Sequence, residues 1–287
     1  MLDRSNCESK ESFQVHRLKV RFEQIPVFDD SQIRIKILHL SDLHMVPNRN
    51  WEVKLIKSLH LLSPDLVVCT GDFLAHHEAV ETVLSSLNEL LDVPGLYVFG
   101  SNDYYAPRFN NPLKYLQKYD GTRKLGSKLP TQDLDRELTR RGWVNLNNRK
   151  RTISIKDIII DIRGTDDAHL ALDDYSIVQG KPKGDISIGV THAPYARVLN
   201  GMKSDGIDLI FAGHTHGGQV RVPWFGGSRS LTTNCDLPNW RSRGLTKLTN
   251  EPWLNVSAGM GFSPFAPVRI FCPPEVSLVT LISKKTS

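Results

Sequence analysis

Little in this chain suggests a membrane span, a disulfide framework or a repeat array. No stretch approaches the roughly 18 consecutive apolar residues that a membrane helix needs, so no bilayer crossing is expected. The four cysteines, Cys7, Cys69, Cys235 and Cys272, include no C-x-x-C pair, which leaves no zinc ribbon or dithiol motif to read. Their scatter fits reduced thiols in a cytoplasmic setting. The first twenty residues, MLDRSNCESKESFQVHRLKV, lack the apolar stretch of a secretory signal. There is no internal repeat and no low-complexity tract. Charge of one sign is also scarce: 36 Lys and Arg against 31 Asp and Glu give +5, a mild bias toward anionic partners.

What is present is an ordinary globular composition, 40% hydrophobic and 23% charged over 287 residues. Residues 1–16 read as a disordered lead-in and 17–287 as one domain. Short apolar runs alternate with amphipathic stretches. Ile33–Leu40 reads as a buried strand, Trp51–Leu62 as a helix and Leu66–Thr70 as a second strand. Glu78–Leu91 reads as a second helix and Leu96–Phe99 as a third strand. Asp133–Arg141 has helical spacing. Thr152–Ile155 and Ile158–Arg163 read as a hairpin about Lys156-Asp157, and further strands are expected at Ile186–Val190, Asp208–Phe211, Gln219–Val222, Trp253–Val256 and Val276–Ile282. The pattern predicts an α/β sandwich of sheets flanked by helices.

Five of these strands run into polar clusters. They are Asp42-Leu43-His44, Gly71-Asp72, Gly100-Ser101-Asn102-Asp103, Thr191-His192 and Gly213-His214-Thr215-His216-Gly217. Sites in open sheets form beyond the carboxyl ends of strands. Carboxylate, imidazole and amide donors without thiolate suit manganese, iron or zinc.

Order and spacing together resemble the calcineurin-like metallophosphoesterases, whose blocks are D-x-H, G-D, G-N-H-D/E, a lone His and G-H-x-H. The strings LHLSDLH, THAPY and GHTHGGQVRVP resemble a branch that includes membrane-associated bacterial phosphodiesterases. The resemblance spans about residues 33–282. It implies a four-layer αββα sandwich of two mixed β-sheets. It also implies two divalent metal ions (Mn, Fe or Zn) and phosphodiester hydrolysis by a hydroxide bridging them. One metal would be held by Asp42, His44, Asp72 and His216. The other would be held by Asp72, an amide, His192 and His214, with Asp72 shared.

The third block departs from the family, reading G-S-N-D. Either Ser101 or Asn102 stands at the ligand position, and Asn102 is the better donor. In either alignment the block's histidine is missing. In the family that histidine is thought to assist the leaving group, a contribution typically of about 10²–10⁴-fold. Asp103, His76 or His77 are the available substitutes. The residues expected to carry the chemistry are therefore Asp72, Asn102, Asp103 and His192.

The segment 104–128 interleaves Tyr104, Tyr105, Phe109, Tyr115 and Tyr119 with cations from Arg108 to Lys128, and reads as a basic, aromatic cap. Tyr104 and Arg108 are its candidate substrate contacts. A second aromatic and basic stretch, Pro223–Arg243, carries Trp224 and Trp240. The expected substrate is a phosphodiester, on a phospholipid or lipid-linked molecule. Peripheral contact with anionic lipids at the inner membrane face is then a secondary expectation, and no stable nucleic-acid partner is expected. A nucleic-acid or cyclic-nucleotide diesterase is the rival within the class, and a non-catalytic scaffold is the rival outside it.

Overall fold

The computed structural model describes residues 18–29, 32–108, 125–224, 227–231, 233–247, 250–262 and 269–284. The lead-in 1–16 and most of the proposed cap, 109–124, lie outside the described residues.

Along the chain, strands β1 (Lys19–Phe28) and β2 (Ile35–Leu40) are followed by helix α1 (Asn50–Lys57) and β3 (Leu66–Cys69). Next come α2 (Val80–Leu87), β4 (Gly95–Tyr97), the short α3 (Ser101–Tyr104), α4 (Thr131–Arg140) and β5 (Val144–Asn145). A hairpin of β6 (Arg149–Ile155) and β7 (Ile158–Gly164) leads to β8 (Ile186–Thr191), α5 (Ala196–Asp205) and β9 (Leu209–Ala212). The remaining strands are β10 (Arg221–Trp224), β11 (Gly227–Ser230), β12 (Gly244–Thr246), β13 (Trp253–Val256) and β14 (Glu275–Ser283).

Two six-stranded mixed sheets result. One has the order β1-β14-β2-β3-β4-β5, the other β12-β13-β9-β8-β7-β6, and β10 and β11 form a separate hairpin. In the first sheet β2, β3, β4 and β5 run parallel, while β14 is antiparallel to β2. In the second, β7, β8, β9 and β13 run parallel.

Period-two burial builds the layers. Ile35, Ile37, Val68, Leu96, Ile160, Ile188, Phe211 and Val279 fill the space between the sheets. The alternate residues Leu38, Leu40 and Val67 face outward and pack with Ile56 of α1, Val83 and Leu87 of α2, and Leu134 and Leu138 of α4. On the far side Ile210, Ala212, Leu254 and Val256 pack with Val198 and Met202 of α5. The architecture is thus the expected four-layer αββα sandwich. Because β2, β3, β8 and β9 are parallel and central, their carboxyl ends open onto one edge of the sandwich.

Several boundaries differ from the sequence reading. The helix expected at 51–62 ends at Lys57 and tightens into a 3₁₀ turn, Ser58–Leu62. There the Ser58 hydroxyl donates to Leu55 O and the His60 ring bonds Lys57 O, so side chains compete for the ladder's carbonyls. The helix expected at 78–91 likewise gives way to a 3₁₀ turn at Asn88–Asp92. The strand expected at 219–222 is β10, outside both sheets. Strand β1 was not expected at all: its charged residues and Pro26 obscure a period-two pattern. An edge position tolerates the proline's missing N–H. Helix α5 was also missed.

Candidate metal centre

Each polar cluster sits where its strand ends. The loop after β2 is tied to the loop after β3 by Asp42 N donating to Gly71 O at 2.9 Å and His44 N to Asp72 O at 2.9 Å. After β9, Gly213 N donates to His192 O at 2.9 Å, which fixes the last two blocks against each other. Asp42, His44, Asp72, His214 and His216 all have positive φ, between 46° and 67°. Non-glycine residues rarely adopt this conformation, and five of them in one cluster store strain where side chains must converge.

One oxygen or ring nitrogen from each of Asp42, His44, Asp72 and His216 lies within 4.8 Å of every other. The closest approach is 3.1 Å, between His44 Nε2 and His216 Nε2. His44 Nε2 is 3.6 Å from Asp72 Oδ2, and His216 Nε2 is 3.5 Å from Asp42 Oδ1. Burial pushes His44 down to about 4 and His216 well below the usual histidine range. Both rings are therefore neutral near pH 7, the form that offers a lone pair to a metal.

A second cluster shares Asp72. His192 donates from Nδ1 to Thr70 O at 2.6 Å, which makes Nε2 the nitrogen available to a metal. That Nε2 is buried, has no hydrogen-bond partner and stands 3.5 Å from Asp72 Oδ1. At that distance the ring nitrogen and the carboxylate call for positive charge between them, a proton on Nε2 in the metal-free protein or a cation in its place. The charge balance points the same way: burial opposes the charged ring, but Asp72, Asp167 and Asp42 outweigh it and raise His192 to about 9. The site calls for positive charge. Asn102 binds both oxygens of Asp72, through its backbone N at 2.8 Å and its side-chain amide at 2.7 Å. The His214 ring centroid lies 5.2 Å from that of His192. The donor types, the neutral rings and the orphaned nitrogen all fit divalent metal.

The structure thus brings together Asp42, His44, Asp72, Asn102, His192, His214 and His216. Asp103 is elsewhere in role. Its carboxylate is fully buried and accepts the backbone N–H groups of Gly100, Asp72, Phe73 and Leu74 at 2.7–3.0 Å. It fastens the second and third blocks together, with both oxygens taken up by backbone N–H groups, a structural part where the sequence reading expected a catalytic one. Burial and the charge of Asp72 raise it to about 8, against four donors that favour the anion. Asp103→Ala strands those N–H groups in the interior at about 1–3 kcal/mol each. We expect it to lower unfolding free energy by about 3 kcal/mol or more in urea titration, and an unchanged midpoint would contradict this role.

Tyr104 is not free for substrate: its hydroxyl donates to Asp166 at 2.7 Å and accepts from Asn147 at 2.8 Å. Arg108 is exposed and donates to Leu125 O. His76 and His77 are also exposed, with His77 bonded to Ser127. Trp240, in the second aromatic and basic stretch, is half exposed.

Sequence reading missed two neighbours of the site. The partly buried Arg269 places Nη2 3.3 Å from His216 Nδ1 and donates to Ala258 O and Gly259 O. The His169 ring lies 4.4 Å from that of His214, tilted at 49°, and shares a hydrogen bond with Tyr195. Neither lies in a recognisable block, and only the fold brings them in.

A family model described as calcineurin-like phosphoesterase matches residues 35–218. The chain belongs to that family. It is 29% identical over 256 residues to an uncharacterised metallophosphoesterase of Campylobacter jejuni, covering 88% of this chain but only 60% of that protein. It is 26% identical over 287 residues to the UDP-2,3-diacylglucosamine pyrophosphatase LpxG of Chlamydia trachomatis, covering 85% of this chain and 83% of the relative. A solved structure from Thermus thermophilus, that of TT1561, superposes with a TM-score of 0.43 at 12% identity, covering 79% of this chain and 90% of that one. Family membership and the four-ligand cluster support a metal-dependent phosphoester hydrolase. No helix among the described residues is long and apolar enough to cross a membrane.

Proposed function

We propose that this metallophosphoesterase hydrolyses phosphodiester or pyrophosphate-diester bonds on a lipid-linked substrate, using two divalent cations that share Asp72. The observation that carries the dinuclear reading is the orphaned His192 Nε2, on the opposite carboxylate oxygen from His44. One cation would be held by Asp42, His44, Asp72 and His216, the other by Asp72, Asn102, His192 and His214. Such cations supply Lewis-acid polarisation of a phosphoryl oxygen and a water of lowered pKa.

The chain's own residues do the rest. Asp72, its oxygens fixed by Asn102, holds the two positions in register. Thr70 O keeps the His192 proton on Nδ1, so that Nε2 stays available. Asp103 holds the loops at a fixed spacing. The lipid-linked part of the reading draws on the Chlamydia relative, whose name gives a diacylated, nucleotide-linked sugar as substrate.

The test compares bis-p-nitrophenyl phosphate, p-nitrophenyl phosphate and UDP-2,3-diacylglucosamine, with Mn²⁺, Zn²⁺, Fe²⁺ or Mg²⁺ added singly. We expect metal-dependent cleavage of the diester at least about tenfold faster than the monoester, since activation of that order is within reach of substrate positioning alone. Faster monoester turnover would overturn the diester reading. Equal kcat/KM for the acylated nucleotide sugar and its unacylated parent would remove the lipid.

A further inference from the structure

The apolar filling between the sheets stops short of the metal end. There the inward-facing positions turn polar: His39 on β2, Asn255 on β13, Ser277 on β14 and Arg21 on β1, with Thr70 just past β3. His39, Thr70, Asn255 and Ser277 are essentially inaccessible, and the Arg21 side chain is 13% exposed. Hydrocarbon would fit these positions without desolvation cost, as it does at Ile37, Val68 and Val279 one or two residues away.

The side chains form one continuous chain of hydrogen bonds. Arg21 Nη2 donates to Asn255 Oδ1 at 3.0 Å. The Asn255 amide donates to His39 Nδ1 at 2.8 Å and to Ser277 Oγ at 2.8 Å. His39 Nε2 meets Thr70 Oγ1 at 2.9 Å. The Thr70 hydroxyl donates to Ser41 Oγ at 2.7 Å, and Ser41 donates to Asp42 Oδ2 at 2.6 Å.

The two ends decide every proton between them. A guanidinium can only donate, so Asn255 must present its oxygen to Arg21 and its amide to His39. His39 then accepts at Nδ1 and carries its proton on Nε2. Thr70 receives that proton's bond and must send its own hydrogen to Ser41, which sends its own to Asp42. The dipoles run head to tail from a cation at the sheet edge to a carboxylate at the metal centre, and such chains polarise one another. Burial and the nearby Arg21 push His39 down to about 3, which keeps the ring neutral.

We propose that His39 and Asn255 are positioning residues for the metal ligand Asp42, acting through Thr70 and Ser41. The Ser41 hydroxyl occupies Oδ2 and turns Oδ1 toward His216, 3.5 Å away, where the cation would sit. Thr70 serves both subsites, because its backbone oxygen holds the His192 ring while its hydroxyl extends the chain toward Asp42. Removing such outer partners of metal ligands typically weakens metal binding about 10–100-fold.

The proposal rests on the metal-centre reading and is tested by calorimetric titration of chelator-stripped protein with Mn²⁺ and Zn²⁺. Thr70→Val, which keeps the shape and removes the hydroxyl, and His39→Leu should each weaken the tightest site about 10–100-fold. Thr70→Ser and His39→Gln restore a donor at the same place and should bind within about threefold of the parent. Melting temperatures of the metal-free variants separate this from packing: a role in sheet packing alone lowers them and leaves affinity in the folded variants unchanged. Ser41→Ala reads the same contact at the loop end should the core variants not fold. Parent-like affinity in Thr70→Val, or in Ser41→Ala where it is needed, overturns the proposal and spares the metal centre. A parent that binds neither ion overturns both.

Discussion

Asp72→Asn should abolish metal-dependent phosphoester hydrolysis and also lower the stability of the metal-free protein. Asp72 is the carboxylate that faces both clusters, His44 at 3.6 Å through Oδ2 and His192 at 3.5 Å through Oδ1. An amide keeps its shape but removes the anion that holds two cations together. Loss of Lewis-acid stabilisation is worth several kcal/mol, and each 1.36 kcal/mol is tenfold, so a drop of about 10³-fold or more in kcat is expected. Stability should fall as well. In the metal-free chain burial works against the charge of Asp72, but His192, His44 and the two Asn102 donors outweigh it and hold the carboxylate below its usual range. The backbone tie from Asp72 N–H to Asp103 survives, but an asparagine turns one of the two oxygens that accept from Asn102 into a donor, a buried mismatch worth about 1–3 kcal/mol. Kinetics with each metal, metal content after dialysis and the melting temperature of chelator-treated protein check the three parts together. Retained turnover with full metal content would show that the bridging role lies elsewhere.

The blocks that end in Asp42-x-His44, Asp72, His192 and His214-x-His216 were legible because each follows a short apolar strand. Parallel central strands then deliver their carboxyl ends to one edge. The layer order was legible for the same reason, since β2 and β8 are short strands buried almost throughout, as central strands covered on both faces are. Other features depend on partners far away in sequence. Asp103 looks like a candidate acid in the string G-S-N-D, and only the convergence of four backbone N–H groups shows it to be a clamp. His39 looks like a polar interruption of a strand. Its meaning lies in Asn255, 216 positions distant, and in Arg21 on a strand that composition concealed. Helix ends at Lys57 and Leu87 were misjudged because the apolar spacing continues through the 3₁₀ turns, where side-chain bonds to carbonyls decide the geometry.

Gly100→Ala should empty the metal centre without unfolding the protein. Gly100 has φ −113° and ψ 176°, an extended backbone that alanine adopts freely, so no conformational penalty is built into the change. What the change adds is a methyl group in the wrong place. A Cβ at this position would stand 2.3 Å from Asp72 Oδ1 and 2.6 Å from His192 Nε2, the two atoms between which the second cation would sit. The neighbouring Gly71 differs, because its φ of +89° would strain any side chain and its Cβ would strike the backbone of Gly100 at 2.6 Å. Gly71→Ala should therefore lower stability as well as metal content. For Gly100→Ala the obstructed atoms are side-chain ligands that can turn aside, so the cost falls on metal binding first. We expect loss of at least one equivalent of bound metal and a fall in kcat of about 10³-fold, comparable to removing the bridging carboxylate. Circular dichroism should keep its parent shape and the urea midpoint should shift little. Full metal occupancy in the alanine variant would place the second cation away from the gap between Asp72 and His192.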